Sequence, residues 1–162
     1  MADIKKRESS TSLSFSTEGF DRAIYADVAM KARLRELALS ESEFSAKIDV
    51  LRLAEMRHED MAHTFGGECT DFSFDSESGI AFGNYAWTAE MKHGRTKVLK
   101  LKCKYLLVYS NLKSCPQDYV GLYFEKVGRF SSYPYFRTVF ASHTSFAGAA
   151  VKPLPSLTER ID

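Results

Sequence analysis

The chain has 162 residues, which is enough for one domain with a single hydrophobic core. With 44% hydrophobic residues, 27% charged residues and a net charge of +1, its composition is that of an ordinary globular protein and not of a general polyanion binder. No long apolar run follows the basic residues near the N terminus, so we expect neither a signal peptide nor a membrane span, and predict a cytoplasmic protein. The three cysteines, Cys69, Cys103 and Cys115, form no C-x-x-C pair, which predicts reduced thiols.

The N-terminal part is predicted to be a disordered arm followed by a helix. Residues 1–17 are polar and rich in Ser, Thr and charge, whereas 18–162 are predicted to form a single domain. Three apolar residues recur at helical spacing: Phe20, Ile24 and Val28. This stripe predicts a leading helix over 18–39. Its basic side could touch nucleic acid, but a solvated surface is the favoured interpretation.

The next segment changes its period from helical to alternating. Residues 47–59 are predicted to form a first strand with no cleanly polar face, because apolar residues occur at both alternating sets of positions. Residues 64–75 are predicted to form a second, weaker strand, bent at Gly66 and Gly67.

Ile80 to Tyr109 has the pattern of a β-hairpin. A three-residue loop of Lys92, His93 and Gly94, with Gly94 in the left-handed conformation, keeps one face of the hairpin apolar. This register sets Trp87 opposite Leu99 and Tyr85 opposite Leu101. The other face carries a row of lysines: Lys100, Lys102 and Lys104. Such a row can bind phosphates or acidic peptides, although a solvent face that protects the sheet from aggregation is favoured.

The C-terminal part is predicted to contain two helices. Ser114 and Gln117 form a capping box around Pro116, and this first helix is predicted to close at Gly128. A second helix is predicted to start at Ser131 or Ser132, with Pro134 in its first turn, and to stop at Gly148. The whole order predicts an α+β fold: a four-stranded antiparallel sheet with an N-terminal helix and two C-terminal helices.

Residues 119–146 contain nine aromatic side chains, which is more than two helices need for one ordinary buried stripe. We therefore expect part of this surface to be committed to a partner, either another subunit or a ligand.

The sequence contains no recognisable catalytic or metal-binding constellation. His58 and His63 lie five residues apart, so on a helix they diverge and on a strand they face opposite sides. No G-x-S-x-G, Walker or Rossmann motif is present. We expect a protein that is not an enzyme and that uses no cofactor or metal.

Residues 47–157 resemble the SecB family of export chaperones. The resemblance depends on the Pro-Tyr-Phe-Arg stretch at 134–137 and on the Leu154-Pro155 ending of the segment from Phe146 to Leu157. It implies a homotetramer, a dimer of dimers, that holds unfolded polypeptides along apolar grooves without nucleotide. It also implies that the first strand of the sheet pairs with the fourth.

Two departures from the family pattern bear on the client. Typical export members engage the SecA motor through a long acidic tail, and this sequence stops soon after Leu157 without one, which argues against SecA coupling. The leading helix is similar to that of SecB-like chaperones that accompany toxin–antitoxin pairs. We therefore expect an ATP-independent holdase for unfolded or aggregation-prone polypeptides, with an antitoxin as a possible dedicated client and with no membrane partner. The alternative is a small-molecule or nucleic-acid binding module that uses the lysine row.

The resemblance also places a peptide groove where the apolar face of the sheet meets the final helix. The predicted client-binding residues come from the hairpin and the C-terminal helices: Tyr85, Trp87, Leu99, Leu101, Tyr123, Phe124, Phe136 and Phe140. The alternative interpretation is that all eight belong to the core or to a subunit interface.

Overall fold

The computed structural model describes residues 19–157, so the predicted arm over 1–17 lies outside the described residues. The described chain contains three helices and four strands: α1 (Arg22–Lys31), β1 (Arg33–Ala46), α2 (Ile48–Met56), β2 (Ala62–Asp75), β3 (Ile80–His93), β4 (Thr96–Ser110) and α3 (Gln117–Phe146). All strand pairs are antiparallel and the sheet order is β1-β4-β3-β2. The first strand therefore pairs with the fourth, as the resemblance implied, and β1 and β2 are the two edges.

Alternation along β3 and β4 gives the sheet two different faces. Every second residue of β3 from Ala81 to Met91 is buried, and the same holds for β4 from Leu99 to Tyr109. These residues lie on what we call the helical face, because α3 packs across it on β2, β3 and β4. The opposite surface, which we call the open face, carries the lysine row of β4.

The hairpin prediction assigns each residue to the correct face of the sheet but pairs it with the wrong residue across the strands. Trp87 lies opposite Cys103 and Tyr85 opposite Tyr105, so the partners are shifted by four residues from those predicted. The strands are joined by a tight turn in which Gly94 adopts the left-handed conformation with φ 59°, and an irregularity follows Met91. A shift by an even number keeps the apolar set on one face, which explains why the pattern fixed the face without fixing the register.

Two predicted elements near the N terminus are wrong. The helix predicted over 18–39 ends at Lys31, because the backbone turns to an extended conformation at Ala32 and the next residues form β1 along β4. The strand predicted over 47–59 is instead the helix α2, which buries Leu51 and Ala54 at helical spacing. Both errors come from apolar runs that fit either period, where tertiary pairing decides the outcome.

The two predicted C-terminal helices are a single helix of 30 residues. Gly128 does not end the first part. It is buried where the helix meets the sheet, and a Cβ atom there would lie 3.0 Å from Cδ1 of Leu107. Gly148, with φ 67°, follows the helix as predicted. The conclusion is that Gly128 serves close packing, whereas Gly148 serves helix termination.

We predict that Gly83→Ala destabilises the protein. A Cβ atom at this position of β3 would lie 2.1 Å from the backbone oxygen of Asp71 and 3.1 Å from the ring of Phe124. Forcing this contact should lower the free energy of unfolding by about 1–3 kcal/mol, and each kcal/mol should lower Tm by about 2–4 °C. Gly66→Ala is the control, because a Cβ atom there meets nothing within 4 Å. Equal melting temperatures for the two variants would contradict the packing described for β2 and β3.

Candidate functional site

The helical face of the sheet and α3 enclose an aromatic cluster around Trp87. The ring of Trp87 stacks on Phe136 at 5.6 Å between centroids and lies 4.9 Å from Tyr133, which in turn stacks on Phe65 of β2 at 5.7 Å. Gly67 makes this arrangement possible, because a Cβ atom there would lie 2.5 Å from the indole. We call these residues the Trp87 cluster: Phe65, Trp87, Tyr133 and Phe136.

The indole of Trp87 is anchored by one buried hydrogen bond. Its Nε1–H donates to Oγ of Ser132 at 2.8 Å, and the Ser132 hydroxyl donates in turn to the carbonyl oxygen of Gly128 at 2.7 Å. Both Trp87 and Ser132 are fully buried. Ser132 is therefore not a helix cap, as the sequence suggested, but the group that satisfies the tryptophan ring.

A second aromatic group lies at the other end of α3. Tyr109 meets Tyr123 at 5.4 Å and Phe124 at 5.7 Å, both edge-to-face, and Phe72 of β2 lies 5.3 Å from Phe124. The Tyr109 hydroxyl lies 3.0 Å from Oγ of Ser131, and burial raises the pKa of Tyr109 to about 12. Tyr25 of α1 packs on Tyr123, so α1 covers this end of the helix.

All eight residues predicted to touch a client are brought together on the helical face, and all eight are buried. The most exposed of them, Tyr123, has 8% of its surface accessible. Within the described chain they form the core, which was the alternative interpretation of the sequence. Their direct contact with a client therefore stays a prediction, and it would require α3 or a neighbouring segment to move.

The segment after α3 lies against the Trp87 cluster and was not among the predicted site residues. Leu154 is buried with 5% of its surface accessible, although its neighbours Pro153 and Pro155 are exposed. The hydroxyl of Tyr133 donates to the carbonyl oxygen of Pro155, and burial raises the pKa of Tyr133. The Leu154-Pro155 motif indicates this contact, although in the sequence it supported only the family resemblance.

The lysine row lies on the open face, where acidic side chains accompany it. Nζ of Lys104 is 3.3 Å from Glu41, and Lys97 and Lys100 lie 2.8 and 4.0 Å from the same carboxylate oxygen of Glu90. The nearby lysines, with Lys97 first, hold the pKa of Glu90 below its usual range. Two carboxylates partly offset the positive charge of this row and weaken its attraction for a polyanion, so this surface gives weak support to a phosphate or nucleic-acid site.

Several large apolar side chains remain exposed away from the core. On α1, Met30 exposes 69% of its surface. On α3, Tyr135 exposes 56% and Phe146 91%, and on β1, Leu34 exposes 45% and Leu39 44%. Their positions mark three uncovered surfaces, on α1, on the outer side of α3 and along the β1 edge. Such surfaces on one chain are typical of subunit or partner contacts.

Residues 19–157 contain no group of three or more side chains that could hold a metal ion. No helix in the same range has the length and apolar character needed to cross a membrane.

The arrangement of the sheet and its covering helix is found in a solved structure. The chain is similar to the SecB-like chaperone Rv1957 of Mycobacterium tuberculosis, in complex with a ChAD peptide from the HigA1 antitoxin, with a TM-score of 0.69. This chain has the SecB-like fold. The match covers 86% of this chain and 100% of the other at 14% sequence identity. No family model and no curated protein matches the sequence.

The SecB-like fold explains why the eight predicted residues converge, since all of them lie between its sheet and its long helix. The structure of Rv1957 contains a bound antitoxin peptide, but its 14% sequence identity to this chain is too low to transfer the roles of individual residues. The comparison therefore shows the fold, and the contacts described above define the candidate site.

We predict that Ser132→Ala destabilises the Trp87 cluster. The substitution removes the acceptor of the indole N–H in a site closed to water, and a buried unsatisfied donor costs about 1–3 kcal/mol. The measurement is urea unfolding followed by the fluorescence of Trp87, the single tryptophan of the chain. Lys126→Ala on the exposed side of the same helix is the control and should unfold like wild type. Loss of stability in both variants would indicate a general effect on α3 and would contradict the specific role of Ser132.

Proposed function

We propose that this protein is an ATP-independent chaperone that holds unfolded or aggregation-prone polypeptides, with an antitoxin as its client class. The observation that carries the proposal is the fold shared with Rv1957, whose structure contains a bound antitoxin peptide. The protein has no catalytic role in this proposal, and it needs no cofactor, membrane or nucleic-acid partner.

The surface of the chain supports this function physically. The outer strand β2 has one edge without a strand partner in the described chain, and such an edge can pair with an extended segment of a client. The exposed apolar side chain of Phe65 lies along this edge. Binding through apolar contacts and backbone hydrogen bonds tolerates many sequences, as a holdase requires.

We further propose that the protein is a homotetramer, built as a dimer of dimers. Arg33, Arg35 and Glu36 give the first half of β1 a net positive charge, whereas Glu41 and Glu43 make the second half acidic. When β1 pairs antiparallel with β1 of a second copy, the basic half of each strand lies beside the acidic half of the other. The strand is therefore electrostatically complementary to itself.

The second contact of the tetramer is assigned to the outer side of α3. A groove of about 800 Å³ lies there between the helix and Pro153. Small residues of α3 line it, including Ala141, Ser142 and Ser145, and Phe146 stands beside them. Small side chains let another helix approach closely, and burial of Phe146 would remove the most exposed large apolar side chain among residues 19–157.

The chaperone proposal predicts that the pure protein suppresses aggregation of a chemically unfolded substrate without ATP. We expect light scattering of the diluted substrate to fall as the chaperone approaches equimolar amounts, and to fall equally with and without ATP. Raising the salt concentration should change the effect little, because apolar contacts are not screened. Full aggregation at an equimolar ratio would refute the proposed function.

The assembly proposal predicts a particle of about 73 kDa, four times the 18.3 kDa chain, in light scattering coupled to size exclusion. Reversing the acidic half of β1 with Glu41→Arg and Glu43→Arg should place like charges together and halve the mass. Adding Arg33→Glu and Arg35→Glu to the same chain should restore it. Glu77→Arg, in the exposed β2–β3 turn, is the control. A wild-type protein that elutes as an 18.3 kDa monomer would contradict the assembly.

A further inference from the structure

Residues 151–157, which we call the tail, lie on the domain as a bound peptide would. They form no helix or strand, and two prolines fix an extended backbone without N–H donors. Leu154 is the anchor, because it is buried in the core cluster while Lys152, Pro153, Pro155 and Ser156 are exposed. The tail therefore contributes one fully buried apolar side chain to its contact with the domain, and Val151 and Leu157 at its two ends pack partly against the core.

The polar contacts of the tail are few. The Tyr133 hydroxyl donates to the carbonyl oxygen of Pro155, and Nη1 of Arg137 lies 3.5 Å from Oγ of Ser156. The backbone N–H of Val151 donates to the carbonyl oxygen of Ala149, just before the tail. An apolar anchor followed by a recognised backbone carbonyl is the pattern by which proteins bind extended, proline-containing peptides. Because Tyr133 donates to a backbone carbonyl and not to a side chain, it could bind any peptide that has the same apolar anchor.

The position of the tail joins it to the residues predicted to touch a client. Tyr133 holds Pro155 with its hydroxyl and contacts Trp87, Phe136 and Phe65 with its ring. Phe65 belongs to the free edge of the sheet and exposes 36% of its surface. A peptide that replaced the tail would thus lie between α3 and this edge, with its anchor against the core.

We propose that the surface beneath the tail is a peptide site, and that the tail occupies it as a built-in competitor of the client. The inference rests on the proposed function and names the client segment by its chemistry: an extended stretch with a leucine-sized anchor beside proline. A client must displace the tail to bind. Its apparent affinity is therefore reduced by the fraction of molecules in which the tail is seated.

The test uses the full chain and a fluorescein-labelled peptide with the sequence of residues 150–158, followed by fluorescence anisotropy. Leu154→Ala in the protein removes the anchor of the tail and leaves Tyr133 and the cluster intact. We expect this variant to bind the peptide at least about tenfold more tightly than wild type, which corresponds to about 1.4 kcal/mol. Lys152→Ala changes an exposed residue of the same tail and should bind like wild type. Emission of Trp87 should shift as the peptide enters.

Each outcome decides the proposal. Equal or weaker binding by Leu154→Ala overturns it, as does equal binding of a peptide in which alanine replaces the anchor leucine. If circular dichroism shows that Leu154→Ala is unfolded, Pro155→Gly takes its place, because it leaves Pro153 and the groove assigned to the tetramer contact intact. Glycine loosens the free tail without touching the anchor, so binding should tighten about fivefold, and an unchanged affinity overturns the proposal. Aggregation assays with wild type test the chaperone function separately, so either idea can fail alone.

Discussion

The indole of Trp87 is fully buried, and its N–H finds an acceptor because Ser132 of α3 lies directly beside it. This pair fixes how α3 crosses the sheet. Gly67 gives the ring its space below, and Gly128 lets the helix approach from above, against Leu107. If α3 were shifted along the sheet, a large aromatic ring would lose both its packing and its only described polar partner, and the cost would fall on the core of the domain. The rest of the helical face is arranged around that constraint.

A domain organised in this way separates stability from binding. Its largest aromatic side chains are buried in the core, so a bound polypeptide could not contact them while α3 stays in place. The apolar surfaces that remain exposed include those on α1, on the outer side of α3 and along the strand edges. They are available for contacts with a partner that leave the core in place. The charged open face, where Glu41 and Glu90 accompany the lysines, keeps the remaining side of the sheet in water.

The sequence predicted the sheet, the face of each hairpin residue and the convergence of the eight site residues. The strands and the faces of the hairpin follow from period-two alternation, which is strong in β3 and β4, whereas the convergence of the eight residues was implied by the family resemblance. The sequence-based prediction was wrong at β1 and α2, because their short apolar runs fit both the helical and the strand period. It was also wrong at Gly128, because the role of this glycine depends on Leu107, which is distant in sequence. Whether an aromatic side chain is core or groove could not be predicted, since both environments need the same residue type. The contact of the tail with the domain was not predicted, because burial of Leu154 depends on the position of Tyr133, which no local pattern encodes.

The pairing of β1 with β4 also has a consequence for how this chain is made. Arg33 lies opposite Ser110, so 77 more residues must be synthesised before the first residue of β1 can meet its partner. The hairpin of β3 and β4 can form on its own, but α3, which covers its apolar face, emerges last. Contacts this distant in sequence make folding slow and leave apolar surface open during translation. During synthesis the nascent chain therefore exposes apolar segments, as do the unfolded polypeptides that it is proposed to hold.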